Sequence, residues 1–193
     1  TFAGYNAGCS LSGNQYNTVI GHNALANNTT MSGGTVIGSL AAFNFTGNNL
    51  IAIGVSAAYG GSGNGIIAIG PSSASNTTTA ECAIAIGGNT LYELTSGCCN
   101  VAVGDFAGNG ICAGSYNTAI GTQSLQSCGN TGSYNTSVGY QSGNISNNGS
   151  YNITVGHCAL AGGNYECNNS IAIGSCSLQL LATGDCNVAI GPQ

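Results

Sequence analysis

The 193-residue chain contains no lysine and no arginine, and five acids make up its whole charged set. Without a cation there can be no Lys–carboxylate or Arg–carboxylate pair, no clamp on phosphate and no basic stripe to release counterions from nucleic acid. Nucleic-acid binding and P-loop nucleotide chemistry are thereby excluded. Tryptophan is absent, and there are one methionine and two prolines, Pro71 and Pro192, so bulky core fillers are few. No run of eighteen apolar residues exists to span a membrane. The start, Thr1-Phe2-Ala3-Gly4, has neither the basic region nor the apolar stretch of a signal peptide, so the expectation is a removed signal or an excerpt of a longer fibre.

What is abundant is small and polar. The formal charge of −5 is modest, so solubility falls to Asn, Ser, Thr and the 33 glycines, a balance that fits an extracellular fibre better than a cytosolic enzyme. Ten cysteines without a CxxC or Cys/His cluster predict an oxidising compartment and disulfides more than zinc. No cofactor and no metal are expected.

One period organises the chain. Glycines that end short apolar segments fall at Gly4, Gly21, Gly38, Gly54, Gly70, Gly87, Gly104, Gly121, Gly139, Gly156, Gly174 and Gly191, at intervals of 16 to 18 residues. No stretch escapes the pattern, so residues 1–193 read as one repeat array with no linker. Before the glycines stand Thr18-Val19-Ile20, Ile51-Ala52-Ile53, Val101-Ala102-Val103, Ile171-Ala172-Ile173 and their equivalents, each a short β-strand. After them, pairs such as Ala24-Leu25, Thr90-Leu91 and Ser124-Leu125 predict a second short extended segment. The fold class is therefore all-β, a single parallel β-solenoid of about eleven coils, which stacked at about 4.8 Å would form a rod roughly 50 Å long. The repeat glycine is expected at a corner where a left-handed backbone or a tight approach forbids a Cβ.

Strand alternation puts the β-branched residues on one face and the central Ala or Val on the other, so both faces are apolar. A solenoid has one interior. The alanine face is expected to contact another chain, with a flattened coil burying both faces as the alternative.

Strings such as Asn187-Val188-Ala189-Ile190-Gly191, Ser170-Ile171-Ala172-Ile173-Gly174 and Asn100-Val101-Ala102-Val103-Gly104 resemble the head repeats of trimeric autotransporter adhesins. The segment Tyr116 to Leu125 is similar to repeats of phage tail fibres and large-virus surface proteins. The resemblance covers the whole chain and implies a left-handed parallel β-roll that trimerises and adheres without catalysis. It also implies that Ala52, Ala68, Ala85, Ala102, Ala119, Ala172 and Ala189 pack between chains.

In a solenoid, equal phase predicts contact. Tyr116, Tyr134 and Tyr151 each lie five before a repeat glycine and are followed by Asn117, Asn135 and Asn152, so an aromatic ladder beside an asparagine ladder is expected. It would be a structural stack or a carbohydrate-binding strip. Equal phase predicts inter-coil disulfides Cys82–Cys99 and Cys158–Cys176, and a difference of one phase step allows Cys112–Cys128 and Cys167–Cys186, with buried thiols as the alternative. Cys9 and Cys98 are left over, free or paired between chains. Sequons begin at Asn27, Asn28, Asn44, Asn76, Asn144, Asn148 and Asn168, and further ones at Asn135 and Asn152; glycans on one edge would replace the missing charge.

No catalytic residue is assigned. Glu166 and Asp185 are the only acids in adjacent coils at similar phase, and His22 and His157 lie too far apart to share a metal. The expected function is a non-enzymatic, self-assembling structural or adhesive protein, extracellular or on a cell or virion surface. Its partners would be copies of itself, side by side or end to end through coils that carry no atypical cap, and host surface glycans or matrix. An ice-binding solenoid, using Thr18, Thr35, Thr118 and Thr136, is the alternative, and a tail-spike glycan hydrolase a third.

Overall fold

A computed structural model describes residues 1–12, 16–127, 129–144, 148–162, 167–179 and 184–192. It is all-β. Twelve strands stack in parallel in one sheet, in chain order: β1 (Phe2–Ala3), β2 (Thr18–Ile20), β3 (Thr35–Ile37), β5 (Ile51–Ile53), β7 (Ile67–Ile69), β8 (Ile84–Ile86), β9 (Val101–Val103), β10 (Thr118–Ile120), β11 (Thr136–Val138), β12 (Ile153–Val155), β13 (Ile171–Ile173) and β14 (Val188–Ile190). Their register follows the sequence phase residue for residue, with Ala119 opposite Ala102 on one side and Ser137 on the other. This is a parallel β-solenoid, one strand of the large sheet to each coil. No helix among the described residues is long and apolar enough to cross a membrane.

The second segment of each coil differs from the expectation. Among the described residues only β4 (Asn44–Phe45) and β6 (Gly60–Gly61) pair as strands of a second ladder, with isolated bridges at Gly60–Asn76 and Ile111–Asn130. In these coils as in the others, the residues two and four after the glycine take left-handed backbone angles, as in Asn23 (φ 52°) and Leu25 (φ 50°) or Gln123 (φ 60°) and Leu125 (φ 48°). Alternating hand bends the chain sharply while aiming successive N–H groups at opposite neighbours. Gln123 N–H donates back to Asp105 O at 2.9 Å, and Leu125 N–H donates forward to Ser142 O at 3.0 Å. Each non-glycine residue held there costs about 1 kcal/mol. The inter-coil hydrogen bonds and the burial of leucines such as Leu25, Leu91, Leu125 and Leu160 offset it.

The repeat glycines sit as expected. Gly104 (φ +128°) and Gly121 (φ +122°) occupy a region essentially closed to L side chains, and a Cβ on Gly121 would lie 2.6 Å from Gly139 O.

Which face points inward is the main correction. The central residues Val19, Val36, Ala52, Ala68, Ala85, Ala102, Ala119 and Ala172 are fully buried inside their own chain, while the residues on either side of them are half-buried or exposed. Ala52, Ala68, Ala85, Ala102, Ala119 and Ala172 therefore line the lumen and form no outer assembly face; Ala189, in β14, is half-buried. The coil is thin, and from β2 to β14 the lumen position of the large sheet takes nothing bulkier than Val19, Val36 or Thr154. A Cβ on Gly108, on the opposite wall, would already be 3.5 Å from the Ala102 Cβ. Where the wall residue is itself small, as at Ala41 and Ala42, Phe45 and Leu50 fill the space.

Candidate assembly face and side-chain ladders

With alanine turned in, the outer surface of the large sheet belongs to the β-branched residues. From β2 to β14 each of its strands presents its first and third residue outward, and every one of these is Ile, Val or Thr. Ile20, Ile51, Ile86, Ile120, Ile153 and Ile173 are 36 to 42% exposed, and no charged residue interrupts the two columns. Stacking at about 4.8 Å makes them a continuous, largely apolar band along the rod. A contiguous band of this kind is the surface feature that marks protein association.

Two predicted ladders are present side by side. Tyr116 and Tyr134 stack with ring centroids 5.0 Å apart, and Tyr134 and Tyr151 at 4.9 Å. The stack covers both faces of Tyr134 and leaves ring edges to solvent, which favours the structural reading over a sugar platform, since sugars pack on ring faces. Beneath it, Asn100, Asn117, Asn135 and Asn152 are buried and joined along the rod. The N–H groups of Asn117, Asn135 and Asn152 each donate to the amide oxygen of the preceding ladder residue at 2.9 to 3.0 Å. Their amide NH2 groups donate to Gly132, Gly149 and Cys167 carbonyls. No buried amide is left unpaired there, and an unmade bond would cost roughly 1–3 kcal/mol.

A third ladder escaped the sequence reading. Six residues before several of the repeat glycines, a side-chain oxygen receives the backbone N–H of the preceding coil: Asn48 from Ser32, Asn64 from Asn48, Ser115 from Cys98, Ser133 from Ser115, Ser150 from Ser133, Asn168 from Ser150 and Asp185 from Asn168. Its signal was the run of Asn, Ser and Asp at one phase. Asp185 is engaged as a ladder acceptor, and Glu166 lies outside the described residues. Asp105 acts likewise, accepting from Gly88 N–H at 2.7 Å. His22 stacks on Tyr5 and His157 on Tyr140. Among the described residues no group of three His, Cys, Asp or Glu could hold a metal ion.

Inside β11 and β12 the lumen turns polar, because Ser137 and Thr154 replace alanine. Thr154 Oγ1 donates to Ser137 Oγ at 2.8 Å, and the Ser137 and Ser142 hydroxyls lie 2.5 Å apart.

The expected disulfides are not formed. Cys82, Cys99, Cys158, Cys176, Cys167 and Cys186 are free thiols, as are Cys9 and Cys98; the Cys112–Cys128 pairing involves Cys128, outside the described residues. Equal phase did bring the thiols into columns, since Cys82 and Cys99 share the same left-handed position, as do Cys158 and Cys176. Stacking, however, keeps neighbouring Cα–Cβ bonds parallel, with Cβ atoms separated by about the 4.8 Å strand spacing, beyond the roughly 3.5–4.5 Å a bridge requires. Cys167 is buried and Cys186 exposed, so that pair points apart.

Burial pushes the thiols of Cys99, Cys158 and Cys167 above their ordinary value of 9.0, with neighbouring Cys98, Cys176 and Asp185 respectively adding to it. Tyr116 is raised too, first by Cys98 and then by Cys99. A raised pKa keeps the thiol neutral, so this contribution to stability is complete below pH 9 and is lost as pH rises through the folded-state value. Iodoacetamide at pH 8 should therefore modify exposed Cys9 and Cys186 well before Cys158 and Cys167, as read by peptide mass mapping over time.

The sequons divide by burial. Asn28 is fully buried, its amide donating to Phe45 O while its oxygen accepts the Thr30 and Met31 N–H groups. It is withdrawn as a glycosylation site, and Asn135 and Asn152 are equally enclosed in their ladder. Asn27, Asn44, Asn76 and Asn148 are exposed, and Asn144 and Asn168 half-buried. Expression in a glycosylating host should place glycans on Asn44 and Asn76 and none on Asn28; glycan occupancy at Asn28 in folded protein would contradict the placement.

The geometry defines a β-solenoid repeat protein whose outward features are ladders and an apolar band. No protein-family profile, no curated protein and no solved structure matches the chain.

Proposed function

We propose that the chain is a non-enzymatic structural or adhesive fibre protein that associates laterally with copies of itself, outside the cell or on a cell or virion surface. The observation that carries this is the uninterrupted outward band of Ile, Val and Thr from β2 to β14, which is largely apolar and free of charge. Burying such a band against its equivalent removes apolar surface from water at about 25 cal/mol per Å². The repeat's resemblance to adhesin heads supports a left-handed β-roll trimer as the form of the assembly, with matrix or surface glycans as ligands. Two of the five acids, Asp105 and Asp185, accept hydrogen bonds from backbone N–H groups, which supports a structural role for them. Light scattering of the purified chain tests the reading. An oligomer that Ile86→Lys plus Ile120→Lys converts to folded monomer supports it, and a wild-type monomer at micromolar concentration overturns it.

One observation favours a second reading. The same face carries Thr18, Thr35, Thr118 and Thr136 among isoleucines on a flat lattice of about 4.8 Å repeat, a surface that could order water as ice does. Thermal hysteresis at millimolar protein would favour ice binding, and its absence would remove it.

A further inference from the structure

Of the nine tyrosines, Tyr116, Tyr134 and Tyr151 alone among the described residues stack on one another. Tyr5 and Tyr140 stack on histidines and Tyr59 on Phe43, while Tyr16, 85% exposed, stacks on no ring among the described residues. The three stacked rings are 49 to 56% exposed, nearly parallel with interplanar angles of 9° and 4°, and held by left-handed backbone at each coil. They are thus accessible to an oxidant and fixed at neighbouring positions by the ladder below.

We propose that this column is a site of oxidative modification, in which adjacent tyrosines couple into dityrosine and lock successive coils together covalently. The oxidant is hydrogen peroxide acting through a haem peroxidase. Each of two neighbouring phenols loses one electron and its hydroxyl proton to give a phenoxyl radical. The radicals join through a new carbon–carbon bond between ring positions ortho to oxygen, and the two ortho C–H protons return the phenolic hydroxyls. Two tyrosines and one hydrogen peroxide thus give one dityrosine and two waters. Coupling needs two radicals to meet. Rings tethered within 5.0 Å of each other see an effective concentration of about millimolar or more, against micromolar for rings on separate chains, so the bond forms within the chain.

The test is peroxidase and dilute hydrogen peroxide on the intact folded protein, after its thiols have been alkylated so that sulfur chemistry does not compete. The expected product has lost two hydrogens per bond, carries dityrosine fluorescence and stays at the mobility of a single chain under denaturing electrophoresis. Its cross-linked peptides should join Tyr134 to Tyr151 or to Tyr116. Tyr134→Phe keeps the stack but leaves Tyr116 and Tyr151 two coils apart, and should cut the intrachain product at least about tenfold. Tyr16→Phe should leave the yield unchanged. Undiminished intrachain dityrosine in Tyr134→Phe, cross-links that map to other tyrosines, or bonds formed mainly between chains would overturn the proposal.

Discussion

Replacing Ala102 by Glu is expected to prevent the central coils from folding. The side chain is fully enclosed in the lumen, where it would meet Leu91 and the neighbouring coils' alanines, and there is no Lys or Arg in the chain to pair with the carboxylate. Overfilling and an unpaired buried charge together cost at least about 3 kcal/mol. Solenoid stability is shared between adjacent coils, so the loss should spread to the coils on either side. Ile120→Glu, one coil on and on the outer face, should leave the chain folded and act on association alone. Circular dichroism and limited proteolysis read the first effect, and light scattering the second. A folded Ala102→Glu protein with altered assembly would restore the alanine-out arrangement and sink the one described.

The second large effect is expected at the glycine column. Gly121→Ala would force a Cβ to within 2.6 Å of Gly139 O at φ +122°, a backbone contact that no side-chain rotation relieves. Strain and overlap together should cost about 3–5 kcal/mol. Gly129→Ala separates the two causes, because Gly129 is also left-handed, at φ +74°, but has nothing within 4 Å of its missing Cβ. That change should cost about 1 kcal/mol. Thermal melts of the two variants make the comparison, and equal melting temperatures would mean that the close approach of glycines does not limit the stack.

Much of this was legible because a solenoid turns sequence phase into spatial neighbourhood. The interval of Tyr116, Tyr134 and Tyr151 forecast their stacking, and the asparagines beside them forecast the buried amide ladder, with no tertiary information beyond the period. The same rule forecast that Cys82 and Cys99 would share a column, but a column is not a bond. Bridge formation depends on the direction of the Cα–Cβ bonds, which stacking holds parallel. The pair Ala24-Leu25 looked extended because its pattern is small then large. Its left-handed Leu25 is a property of the corner it rounds, and nothing in an Ala-Leu dipeptide announces φ +50°.

The sequence by itself determined the period, the parallel register, the glycine column and the tyrosine and asparagine ladders, because each depends only on which residues recur at equal phase. The tertiary structure decided what lies inside. Alternating Ile-Ala-Ile offers two apolar faces, and burial energy per residue would favour hiding the larger one. The narrow lumen reverses that choice, since from β2 to β14 the inward position of the large sheet takes nothing bulkier than valine or threonine, as at Val19, Val36 and Thr154. It also decided which sequons are usable, burying Asn28 while leaving Asn27 beside it exposed. Both outcomes follow from the width and curvature of a 17-residue coil, quantities that exist only once the chain has closed on itself.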